Sequence, residues 1–178
     1  MNKVEYYWNM VHYYLFIWQS WLYKVLDFVN PFSHFFKIPM IRRFYANNGV
    51  DNMNEYTERK IFTSTNQGLN MLWAGINLGG LIVAFEYALF NIIQHYLGES
   101  KINIIWENGF YIISFIATML VIPTLINYFL IFKDGRYKTY FKQFEKMDRS
   151  DKLKNGWMCG IFNLVVWTFF VLSFCLLP

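Results

Sequence analysis

Residues 69–97 read LNMLWAGINLGGLIVAFEYALFNIIQHYL, with one acid, Glu86, and no Lys or Arg. A run of about 20 mainly apolar residues crosses the ~30 Å hydrocarbon core of a bilayer. At ~1.5 Å per residue this one reaches about 43 Å, enough to cross with tilt. Two more runs follow. Residues 110–132 hold no charge, and residues 157–177 are almost as apolar. Only 16% of the chain is charged and 56% is apolar, against roughly 25% charged in an ordinary soluble domain. Too little polar surface exists to clothe a soluble core. The expectation is an all-α integral membrane protein whose residues 69–178 form a three-span bundle.

Upstream, residues 1–30 form a further unit. Residues 4–29 are nearly solid aromatic and aliphatic side chains and end at Asn30-Pro31, a helix stop. At 100° per residue, Glu5, Asn9, His12, Gln19, Ser20 and Asp27 fall on one arc, with Lys24 at its edge. A helix lying on a lipid surface by itself presents Lys and Arg on its polar face. This stripe has one Lys, so it is expected to face protein, with the aromatic side towards lipid or the interface. His12 is read as a hydrogen-bonded member of that stripe. Charge bias leaves open whether this helix is a fourth span. Residues 31–68 form a polar connector with Arg42, Arg43 and an Asn47-Asn48-Gly49 turn signal. A short helix is expected near residues 54–62.

The basic residues sort by side. Residues 1–68 hold seven, the 98–109 loop holds one, Lys101, and residues 133–156 hold eight. The positive-inside rule places residues 31–68 and 133–156 on the cytoplasmic or matrix side of a bacterial or mitochondrial inner membrane. The N-terminus carries no basic n-region or small-residue cleavage site, so no secretory signal is expected. Within residues 133–156, Tyr137, Tyr140, Phe141, Phe144 and Met147 recur at helical spacing, with Lys138, Lys142, Glu145 and Lys146 on other faces. This predicts a short amphipathic surface helix touching anionic lipid.

The spans carry polar residues that lipid cannot satisfy. Asn70, Asn77 and Asn91 are spaced by multiples of seven, with Ala84 between and Ala88 and His95 beside them. Gly75 and Gly79 make a small-xxx-small motif on roughly the opposite face, beside the midplane carboxyl of Glu86. Gly156 and Gly160 repeat the motif at the start of the third span, with Asn163 on the same side. Pro123 interrupts the second span and is followed by Thr124 and Asn127. These faces exceed what a few helices can hide, so other membrane subunits are expected as partners, unlike chains before identical ones.

No catalytic, cofactor or metal constellation is expected. His12, His34 and His95 are isolated, and Cys159 and Cys175 lie about 24 Å apart along one helix. No internal repeat suggests a carrier, and nothing supports nucleic-acid binding. The chain holds 19 Phe, 13 Tyr, 18 Ile and 16 Asn against 5 Ala, which points to an AT-rich genome. The expectation is a non-enzymatic structural or assembly subunit of a large inner-membrane complex, a respiratory complex or ATP synthase first. The alternative is a small self-assembling effector, pore or immunity protein of a bacterial defence system. There Glu86 or the Asn row would face a lumen.

Overall fold

The structure is a computed structural model that describes residues 2–29, 35, 38–50, 53–57, 68–97, 106 and 108–176. Among these residues it is all-helical, with no strand. The helices are α1 (Lys3–Val29), α2 (Pro39–Asn47), α3 (Leu69–Leu97), α4 (Gly109–Asn127), α5 (Arg136–Glu145) and α6 (Arg149–Ser173), with a single turn at Met53–Tyr56. The helices that begin at Leu69, Gly109 and Arg149 are long and apolar enough to cross a membrane. Only 28%, 6% and 17% of their most apolar stretches are buried inside the protein. The remainder presents Leu, Ile, Val and Phe outward, which water does not favour and lipid does.

The chain forms two compact units, Met1–Val11 with Asn77–Pro178, and His12–Ile76. In the first, α3 and α4 run antiparallel. Gly79 meets Pro123 and Asn127 at one end. Phe90 and Phe115 rings sit 4.6 Å apart at the other, with Trp106 against both. α6 runs parallel to α3. The pairs Phe85–Phe169, Tyr87–Phe170 and Asn91–Ser173 climb together along the two helices. This up, down, up order is the one the charge distribution calls for.

α4 continues through Pro123 and widens into a π turn at Tyr128–Phe132. Thr118 and Thr124 return their hydroxyls to carbonyls one turn back, at Ser114 and Leu120. Polar side chains are thereby satisfied within one helix. The reversal into α5 uses Asp134 and Gly135, both left-handed, at φ 58° and 64°. Asp and Gly are among the residues that tolerate this conformation.

The structure adds detail to two sequence readings. The helix that carries the apolar run from Trp157 begins at Arg149. Hydropathy marks where the apolar run starts, but helical geometry extends two polar turns further, from an N-cap at Asp148. The expected amphipathic helix is α5, and its aromatic face is covered by protein. Tyr137, Tyr140, Phe141 and Phe144 are buried, and Tyr6 of α1 packs edge-on against Phe144 (5.3 Å) and Tyr140 (6.3 Å). Lys138, Lys142 and Lys146 stay exposed. An amphipathic pattern states that one face avoids water, not what covers it.

In the second unit, His12 Nε2 lies 3.4 Å from the Met71 carbonyl. The Asn70 amide donates to Ser20 Oγ at 3.2 Å. The connector helix falls at Pro39–Asn47, with Pro39 in its first turn. Gly49, at φ +80°, ends it in the left-handed turn expected after a helix. Of the helix expected near residues 54–62, Met53–Tyr56 is helical, and residues 58–67 lie outside the described residues. So do His34 and most of the 98–109 loop.

Candidate functional site

The N-terminal polar stripe makes contacts within the protein. Asn9 is fully buried, and its amide donates to the Glu5 and Leu130 carbonyls, both at 2.8 Å. Glu5 takes an ion pair from Arg136 at 3.2 Å. His12 is fully buried, and Gln19 is half-buried. The side chain of Asp27 lies outside the described residues. Between Asn9 and Phe16 the helix is buried on all sides, and its apolar surface is open at Val4 and Tyr7 before that stretch and at Ile17, Trp18, Trp21, Leu22, Val25 and Leu26 after it. The aromatic side expected to face lipid or the interface is interrupted over this stretch. A stretch packed all round shows no outward face for periodicity to reveal. Burial beside Tyr140 and Phe144 also pushes the Tyr6 phenol above its ordinary value of 10.

Trp8, Asn127 and Arg136 complete this cluster and were not singled out as site residues. The Trp8 indole N–H donates to Asn127 Oδ1 at 3.0 Å. A Trp beside a polar stripe, and an Asn one turn after a proline, are the signals that could have found the pair. Asn127 also governs Gly79. A Cβ built on Gly79 would stand 3.3 Å from Asn127 Nδ2 and 3.9 Å from Pro123. The Gly75/Gly79 motif therefore serves contacts inside the chain, Gly75 being buried and Gly79 half-buried. Gly79→Leu is expected to wedge α3 from α4 and break the Trp8–Asn127 bond. The cost is about 1–3 kcal/mol of overpacking, read as a lower thermal midpoint in mild detergent.

The asparagine row divides. Asn70 and Asn91 are buried and bonded, Asn91 to Ser173 Oγ at 2.9 Å. Asn77 is exposed and makes no hydrogen bond among the described residues. His95 Nδ1 lies 2.7 Å from the Leu176 carbonyl near the far end of α3. Gly156 and Gly160 are half-buried, and Asn163 returns its amide to the Cys159 carbonyl of its own helix at 2.8 Å.

Glu86 sits on the α3 face that meets α4. Helical spacing places it between Gly79, which touches Pro123, and Phe90, which touches Phe115. It is half-buried, and its buried Oε2 has no hydrogen-bond partner among the described residues.

One face of α3 remains open. Asn77 and Gly80 stand three residues apart on one side of the helix and are both exposed. A Cβ on Gly80 would meet nothing within 4 Å. The face thus offers a flat backbone approach at Gly80 and a free amide at Asn77, the two features that draw helices together in lipid. Among the described residues, no three His, Cys, Asp or Glu side chains gather where they could hold a metal. No protein-family model, no curated protein and no solved structure matches the chain.

Proposed function

We propose that this chain is a non-catalytic structural subunit of a larger inner-membrane assembly, held there through the Asn77–Gly80 face of α3. One observation carries the reading. Asn77 is exposed in the middle of an otherwise apolar helix face, beside a glycine with open space over it. Lipid offers an amide no hydrogen bond, whereas a neighbouring helix seated at Gly80 could. Glu86 adds to the demand, because a midplane carboxyl without a partner is costly in hydrocarbon. The aromatic, AT-rich composition suggests a bioenergetic complex as that assembly. The basic ends of the spans then lie on the matrix or cytoplasmic side. Affinity purification of the tagged chain in mild detergent, with mass spectrometry of what accompanies it, tests the reading. Recovery of a reproducible set of unlike membrane subunits supports it. Recovery of identical copies alone would favour the self-assembling effector instead.

A further inference from the structure

A long apolar groove runs between α3 and α6. Leu81 and Phe85 form one wall, Phe162, Val165 and Phe169 the other, and Trp8 lies at its base. Its volume is about 490 Å³. A second groove of about 390 Å³, bounded by Val4, Tyr7 and Met158, continues it and shares Trp8 and Phe162. The Trp8 indole N–H is tied to Asn127, so the ring is held in place as part of the wall. The Phe85–Phe169 ring pair, 5.6 Å between centroids, lies at the far end.

We propose that this continuous groove binds one acyl chain of an anionic phospholipid, headgroup at the Lys3/Lys154 end. Length is the first argument. From Met158 to Phe169 the lining covers eleven residue steps of α6, about 16.5 Å. That is close to one leaflet, half of a hydrocarbon core of ~30 Å. A partner helix would call for a face running the full thickness, whereas a single lipid chain reaches only to the midplane, where Phe85 and Phe169 stand. Chemistry is the second argument. The lining is wholly Trp, Tyr, Phe, Met, Cys, Leu, Ile and Val, which suits methylenes and offers a headgroup nothing. Charge is the third. Lys3 and Lys154 are exposed and stand one helical turn before the lining residues Tyr7 and Met158. Asp151 lies nearby on α6 and offsets part of their charge, while Glu5 is already paired with Arg136. The two lysines stand at the end of the chain pair that carries the basic loops, where an inner-leaflet headgroup would lie. This inference rests on the chain residing in a bilayer, not on the identity of any assembly.

The full chain, reconstituted with equal phosphatidylglycerol and phosphatidylcholine and then extracted in mild detergent, tests it by native mass spectrometry. One phosphatidylglycerol is expected to stay bound per chain, in preference to phosphatidylcholine. Val165→Trp fills the groove from an exposed position and should cut retention roughly tenfold, by displacing a few methylenes. Leu164→Trp, at an exposed position outside the lining, should leave retention unchanged and shows that a new Trp alone is harmless. Lys154→Gln should reduce the preference for the anionic lipid about fivefold. Equal retention by Val165→Trp and the parent chain would overturn the proposal. So would a benzophenone side chain at position 165 that crosslinks in native membranes to one discrete protein rather than to lipid. A chain found alone, yet holding phosphatidylglycerol, would contradict the assembly reading and leave the groove standing.

Discussion

Gly80→Leu is expected to release the chain from its assembly while leaving its own fold intact. Among the described residues no atom lies within 4 Å of a Cβ at Gly80, so a side chain added there starts into open space. Leucine also favours a helix over glycine by up to about 1 kcal/mol, so the thermal midpoint of the purified chain should hold or rise. A neighbour seated on the glycine would be pushed away, and the amide of Asn77 would lose its acceptor. The share of tagged chain that co-sediments with a heavy membrane particle should fall at least tenfold, which corresponds to about 1.4 kcal/mol. Asn77→Leu should act in the same direction. The contrast with Gly79→Leu is the informative part. Adjacent glycines face opposite duties, one packed on Asn127 and Pro123, the other open. Loss of fold in both variants, or loss of association in neither, would break the assignment of Gly80 to a partner.

Phe144→Ala is expected to cause the largest loss of stability. Phe144 is fully buried and packs against Tyr6 and Tyr140. Removing such a ring costs about 3–5 kcal/mol, from lost burial and the cavity left behind. For a chain of this size, that lowers the thermal midpoint by roughly 6–20 °C. α5 would come away from the first turns of α1, exposing the Glu5–Arg136 pair to solvent. Lys142→Ala, on the exposed face of the same helix, should change stability by less than about 0.5 kcal/mol. A similar small effect for Phe144→Ala would mean that α5 rests on lipid, as its sequence pattern alone suggests, and not on protein.

The three long helices were legible because a bilayer demands unbroken apolar runs, and residues 69–97, 110–132 and 157–177 supply them. The up, down, up order was legible because basic residues cluster between alternate spans. Pattern could not say what lies opposite each face. Asn70, Asn77 and Asn91 share one spacing, yet the amides of the first and last donate to Ser20 and Ser173 while Asn77 stays open. Their fates depend on side chains 50 and 82 positions away, which periodicity does not contain. Trp8 and Asn127 are 119 positions apart, and nothing local in either segment announces the other. Gly80 escaped notice because it lies one residue outside the small-xxx-small spacing of Gly75 and Gly79. A single open glycine has no periodic signature.

The most direct test of the account is the size of the native particle on blue-native electrophoresis after extraction in a mild detergent. A chain whose spans bear Asn77 and Glu86 without partners is predicted to migrate in a discrete band far heavier than one copy with its detergent, and to contain unlike subunits. Migration as a solitary chain, at the lowest detergent concentration that dissolves the membrane, would contradict it.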